Sequence, residues 1–142
     1  MGLFGKKEAP DERYQALEAE YRNYRARTQN QLAQAGSDAA KRIVTELLPI
    51  YDDLDRALAC ACQDEAFYHG IELIRQKLLE KLAEMKVKPM QSQGKCFNPD
   101  YHEAVEHITD PALGEEVVAQ VILTGFTMDE EVIRHAKVVV AN

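Results

Sequence analysis

The sequence has no Trp, only three Cys, and no long hydrophobic run. Aromatic residues make up 7% of the 142 residues, so a hydrophobic core would be mainly aliphatic. No apolar segment reaches the roughly 18–20 residues of a transmembrane helix, and the N-terminus lacks the apolar stretch of a secretory signal. We therefore expect a cytoplasmic protein without a membrane partner, in which residues 1–10 form a flexible tail.

The three cysteines, Cys60, Cys62 and Cys96, do not have the spacing of a disulfide framework. Reduced thiols are the simplest interpretation. A metal site would combine Cys60, Cys62 and His69, with or without Cys96, and their spacing matches no common zinc pattern. We expect no metal and no cofactor.

Catalytic motifs are also missing: the sequence contains no GxGxxG, no Walker loop, no GxSxG and no HExxH. Three histidines, His102, His107 and His135, follow Cys96 in the chain, and a Cys–His pair can be nucleophilic. No residue pattern indicates that this cysteine is activated. We therefore predict that the protein is not an enzyme.

Charge is unevenly distributed along the chain. The net charge is −7, and residues 91–142 contain 3 basic and 9 acidic groups. This balance argues against nucleic acid as a partner and favours a protein with a basic surface. Arg22, Arg25 and Arg27 form a local basic patch, for which a solvated helix face is the simpler interpretation than nucleic-acid binding.

Residues 11–59 have the composition of one long helix, and their apolar positions repeat every 11 residues. Such a helix would be about 74 Å long, whereas a globule of this size has a radius of gyration of about 14–15 Å. We therefore expect a second copy of the chain to cover its apolar stripe. Pro49 predicts a kink or a short break near residues 45–49.

A second amphipathic helix is predicted after Asp64, which can cap it, and it should end near Lys86. Two copies of this helical hairpin would form a four-helix bundle. After residue 88 the pattern changes to short β segments, with strands at 117–123 and 137–140 and turns at 124–125 and 129–130. The predicted fold class is α+β: a helical part over 11–88 followed by a small, mainly β domain over 89–142.

Three sets of segments, in order over residues 13–142, carry a family resemblance. They are EYRNYRART at 20–28, ELLPIYDDLDRAL at 46–58 with GIE at 70–72, and FNPDYHEAV at 97–105 with GFT at 125–127 and IRHAKVVV at 133–140. Together they resemble the GrpE family, the nucleotide exchange factors of DnaK-type chaperones. The resemblance implies a homodimer that binds the chaperone's ATPase domain and promotes ADP release by stabilising the open nucleotide cleft. The alternative is a homodimeric coiled-coil adaptor with the same fold and without exchange activity.

The resemblance also implies which residues bind the chaperone: Arg25, Phe97, Asn98, Pro99, His102, Gly125, Phe126 and Arg134. For Phe97, Phe126 and Val138 a place in the β-domain core is an equally good interpretation. For Gly125 the alternative is a turn that requires positive φ.

The dimer interface is predicted from the helical stripes. It comprises Leu17, Tyr21, Tyr24, Leu32, Ile43, Leu47, Ile50, Leu54, Leu58, Ile71, Ile74 and Leu78.

Four residues depart from the usual family pattern and change charge or rigidity at the predicted interface: Gln34, Asn98, Glu131 and His135. The helix also begins after residue 10, where many members carry a longer leading segment.

Overall fold

The computed structural model describes residues 11–142, so the tail predicted over residues 1–10 lies outside the described part. Helix α1 spans Glu12–Ala59, which confirms the long N-terminal helix. It continues through Pro49 without a break. Val44, Leu48 and Tyr51 are buried on either side of the proline, and their burial favours the helical path despite the lost backbone donor.

Helix α2 spans Glu65–Glu84 and begins as predicted at Asp64. The Asp64 carboxylate accepts a hydrogen bond of 3.0 Å from the backbone N–H of Phe67, so it satisfies one of the free donors of the first turn. The two helices are linked by an ion pair in which Arg75 Nη1 lies 2.8 Å from Asp55 Oδ1. The helical hairpin predicted from the sequence is therefore present.

Six strands follow the helices. They are β1 (Val87–Pro89), β2 (His102–Ile108), β3 (Val117–Leu123), β4 (Phe126–Met128), β5 (Glu131–Arg134) and β6 (Ala136–Ala141). The predicted strands at 117–123 and 137–140 are confirmed, and the long helix, second helix and small β part together confirm the α+β class. The predicted domain boundary at residue 88 falls inside β1, and the division into domains stays a prediction.

The strands form two three-stranded sheets. One has the order β1-β4-β5 and is antiparallel. In the other, β6 lies between β2, to which it is parallel, and β3, to which it is antiparallel. Alternate residues of β6 form the core with Val118, and Met90, Phe97 and Val121 pack against this cluster. The register of β6 therefore places its alternate residues in the core of this sheet.

The β4–β5 hairpin closes through Asp129 and Glu130, which confirms the predicted turn. Their φ angles are 49° and 67°, the left-handed values that a two-residue type I′ hairpin requires at both central positions. The backbone N–H of Asp129 also donates to the carbonyl of Lys86 at 3.2 Å. This bond fixes the hairpin tip beside the end of α2.

By its internal packing the chain divides into a unit that ends at Ala40 and a second unit, Lys41–Asn142. The second unit contains the end of α1, all of α2 and the six strands. Within residues 11–142, no helix is both long enough and apolar enough to cross a membrane.

Candidate partner-binding site and its support

The last third of α1 has two distinct apolar faces. Val44, Leu48 and Tyr51 recur at the i, i+4, i+7 spacing of one helix face and are buried. The neighbouring positions Ile43, Leu47 and Ile50 also form a stripe but are 43–60% exposed. The interface predicted from the sequence includes only the exposed stripe. The buried stripe was not predicted, although its i, i+4, i+7 spacing is visible in the sequence.

Arg134, at the end of β5, links this strand to α1 and to the connection between β3 and β4. Its Nη1 and Nη2 donate to Asp52 Oδ2 and Oδ1 on α1, each at 2.7 Å. Its Nε and Nη2 donate to the carbonyl of Thr124 at 3.1 and 2.6 Å. The side chains of Arg134 and Asp52 are 16% and 21% exposed, so this bidentate pair is largely shielded from water.

Phe126 lies beneath this ion pair and is completely buried. Its ring meets the Tyr51 ring edge-on, with centroids 5.1 Å apart, and the Arg134 guanidinium carbon lies 5.5 Å from its centroid. Burial raises the pKa of Tyr51, and the carboxylate of Asp55 raises it further. Of the two interpretations open for Phe126, the structure supports a place in the core between α1 and the sheet.

Position 125 requires glycine because a side chain would not fit there, and not because the backbone adopts a positive φ. A Cβ at this position would lie 2.5 Å from the backbone nitrogen of Ala136 and 2.7 Å from Met90 Sδ. Its φ lies outside the left-handed region, so the alternative interpretation of Gly125 as a positive-φ turn residue is wrong. The close approach brings the start of β4 against β6, and the Gly125 carbonyl accepts the N–H of Met90 at 2.8 Å.

The predicted contact loop folds around Asn98. The Asn98 carbonyl accepts the N–H groups of Tyr101 and His102 at 3.0 and 2.8 Å, and its side-chain Oδ1 accepts the N–H of Asp100 at 3.0 Å. Both carboxylate and amide oxygens can accept such a bond. Asn98 therefore stabilises the turn through its side-chain oxygen, while Pro99 is exposed at its tip.

His102 completes this loop from the first position of β2. Its Nδ1 accepts the backbone N–H of Asn98 at 3.1 Å, so the neutral ring carries its proton on Nε2. The ring is 9% exposed and lies 5.9 Å from the half-buried ring of Phe97. Burial lowers the pKa of His102, and the charges of Lys95 and His135 lower it further.

The structure brings the predicted contact residues into two groups. Phe97, Asn98, Pro99 and His102 form the loop. Arg134 forms the ion pair with α1, Phe126 lies against its guanidinium group, and Gly125 follows Thr124, whose carbonyl Arg134 binds. Arg25 is exposed on the part of α1 that precedes Lys41. Within the described range, no three His, Cys, Asp or Glu side chains are grouped to hold a metal ion.

The Gly125→Ala variant should be less stable by about 1–3 kcal/mol, because the added methyl group has no space between β4 and β6. Gly36→Ala is the matched control. Nothing lies within 4 Å of its added Cβ inside α1, so it should stabilise the helix by about 0.5–1 kcal/mol. Urea unfolding at fixed protein concentration measures both, and equal stability of Gly125→Ala and wild type would contradict the packing argument.

The free energy of unfolding should decrease as the pH is lowered through the range where His102 becomes protonated. Because the folded-state pKa lies below the unfolded value of about 6.5, the stabilisation is complete above that value and is lost as the pH falls. Urea unfolding at pH 7.5 and 5.5 should therefore show a smaller loss for His102→Gln than for wild type. The His107→Gln variant, changed at an exposed position of the same strand, should retain the wild-type loss; an unchanged loss in His102→Gln would refute the assignment.

Comparison with known proteins agrees with these features. The sequence profile of the GrpE family matches residues 3–142. "Protein GrpE" of Lachnoclostridium phytofermentans is 39% identical over 127 residues, which are 87% of this chain and 57% of that protein. "Protein GrpE" of Clostridium beijerinckii is 40% identical over 126 residues, 89% of this chain and 60% of that protein.

A more distant relative, "Protein GrpE" of Bacteroides thetaiotaomicron, is 35% identical over 139 residues, 94% of this chain and 71% of its own length. The chain thus spans about three fifths of the length of the clostridial relatives named above. The family profile covers both the helices and the strands described above. The chain belongs to the GrpE family.

Proposed function

We propose that this chain is a nucleotide exchange factor that binds the ATPase domain of a DnaK-type chaperone and promotes ADP release. The observation that carries the proposal is membership of the GrpE family over residues 3–142, which include both the helices and the β part. The exchange factor stabilises an opened nucleotide cleft, and it needs no covalent chemistry of its own.

The physical basis of exchange is a difference in affinity. A factor that binds the open cleft more tightly than the closed one shifts the chaperone towards the open state. Equal affinity for both states would shift nothing, however tight the binding. Each tenfold difference in affinity corresponds to about 1.4 kcal/mol. To maintain such a difference, the factor must present a surface that fits the open state and does not adapt to the closed one.

We assign the chaperone contact to the exposed tip of the loop at Pro99, with a further contact at Arg25 on α1. Phe97, Asn98 and His102 hold this loop in place. Pro99 is exposed, and the adjacent Tyr101 is 42% exposed, so the tip of the loop offers apolar surface. Of the acidic residues in 91–142, all except Asp110 are exposed. This charge favours a basic surface on the partner and predicts binding that weakens with salt.

We further propose that the chain acts as a homodimer. Of the twelve predicted interface residues, eight are between 43% and 69% exposed: Leu17, Tyr21, Tyr24, Leu32, Ile43, Leu47, Ile50 and Ile74. Leu54, Leu58, Ile71 and Leu78 are half-buried between the exposed positions. Large apolar side chains that are exposed at helical spacing are typical of an interaction surface, and a second copy supplies matching side chains.

Release of a fluorescent ADP analogue from a DnaK-type chaperone of the same organism tests the exchange activity. We expect saturating protein to accelerate release by about tenfold or more. Pro99→Arg should raise the half-saturating concentration by about tenfold, because a positive charge on the exposed loop opposes a basic partner surface. His107→Arg makes the same charge change at another exposed position and should have a much smaller effect.

The two functions considered above give different results in this assay. No acceleration by folded wild-type protein at saturation would overturn the exchange proposal. If the protein then still bound the chaperone in a pull-down, the result would support the adaptor alternative.

The Ile74→Asp variant should be monomeric at concentrations where wild type is dimeric, because a charge would be buried without a partner in the bundle. Sedimentation equilibrium measures the mass directly. Gln76→Asp, at an exposed position of the same helix, should leave the dimer intact. A monomeric wild type, or a dimer unaffected by Ile74→Asp, would refute the proposed interface.

A further inference from the structure

Strand β5 is attached to α1 at both of its ends. Glu131, the first residue, forms an ion pair with Lys41, and Arg134, the last, forms the bidentate pair with Asp52. Lys41 and Asp52 are separated by three turns of α1, so the strand follows the helix between two fixed points. The departure at Glu131 is thus explained inside the chain: its carboxylate is engaged by α1.

Arg134 has little capacity left for an external partner. A guanidinium group has five N–H donors, and four of them donate to Asp52 and to the Thr124 carbonyl. One face of the group lies against the Phe126 ring. With the side chain 16% exposed, a protein that docked on this surface would meet Arg134 only at its edge.

We infer that Arg134 is a positioning residue: through Asp52 it holds the β4–β5 hairpin, and the sheet that the hairpin belongs to, in a fixed orientation on α1. This inference rests on the proposed function. In it, Arg134 acts by orienting the hairpin and does not contact the chaperone directly. A fixed orientation matters because exchange depends on the difference in affinity between the open and closed clefts. A sheet that can move on α1 adapts to both states, and the difference shrinks.

Positioning and contact affect different parameters of ADP release. Loss of a contact raises the half-saturating concentration of the factor. Loss of positioning lowers the maximum acceleration at saturation, because the discrimination between open and closed states is reduced even when all chaperone is bound. We expect Asp52→Asn to lower this maximum by about fivefold. The half-saturating concentration should change less, because Asp52 is itself largely shielded from a partner.

Two substitutions at Arg134 make the distinction sharper. Arg134→Lys retains the positive charge but loses the planar, bidentate geometry and the bonds to Thr124. It should resemble Asp52→Asn. The double variant Asp52→Asn/Arg134→Gln should be no worse than either single change, since all three remove the same link. If Arg134→Gln does not fold, Arg134→Lys and Asp52→Asn carry the comparison.

Asp53→Asn is the matched control. Asp53 is the next residue on α1 and also pairs with an arginine, Arg56, but both side chains are well exposed, at 66% and 74%. Exposed pairs contribute little to stability. The maximum acceleration should therefore be the same as for wild type.

Hydrogen exchange of the free protein gives a readout that does not depend on the chaperone. Asp52→Asn should increase exchange of the β4–β5 amides, whereas Asp53→Asn should not. If the wild type failed to accelerate ADP release but Asp52→Asn still released the hairpin, the proposed function alone would be wrong. Unchanged hairpin exchange in Asp52→Asn, or a defect confined to the half-saturating concentration and to Arg134 variants, would overturn the positioning role.

Discussion

The attachment of the β4–β5 hairpin to α1 depends on the half-buried ion pair between Asp52 and Arg134. Its bidentate geometry and the added bonds to the Thr124 carbonyl compensate the loss of hydration. Removing one partner of such a pair leaves the other charge without compensation, which costs about 3–5 kcal/mol in well-buried examples. The pair also fixes the orientation of the hairpin on α1, because a planar guanidinium group can donate two hydrogen bonds to a carboxylate only over a narrow range of positions. The Phe126 ring lies against the guanidinium group and meets the Tyr51 ring edge-on.

The end of α1 has one buried and one exposed apolar face. Val44, Leu48 and Tyr51 are buried within the unit Lys41–Asn142, while the adjacent stripe containing Ile43, Leu47 and Ile50 remains exposed. Successive residues of a helix are about 100° apart, so one segment can present two apolar faces without a bend. Burial of Val44, Leu48 and Tyr51 on either side of Pro49 favours the continuous helix. Under the proposed function, the same segment connects the dimer to the sheet.

Loop-closing hydrogen bonds and close backbone packing recur in the β part. Asn98 and His102 close their loop with backbone bonds, and Gly125 permits a contact that leaves no space for a methyl group. Under the proposed function, a preformed surface of this kind would lose less entropy on association with the chaperone. It also discriminates better between two states of a partner. The buried, neutral form of His102 adds a dependence on pH to one of these loops.

Much of the architecture follows from local sequence patterns. The composition of residues 11–59, the cap at Asp64 and the β-branched residues of β3 and β6 predicted their elements because helix periodicity, capping and strand propensity act over a few residues. The three sets of segments that occur in order over residues 13–142 were also enough to indicate the GrpE family. The roles of Phe126, Gly125 and Arg134 required the tertiary structure. Arg134 and Asp52 are 82 positions apart, and no local pattern reports which distant groups will share a shielded site. Only folding decides that an arginine is engaged internally, since burial and hydrogen-bond partners are properties of the packed chain.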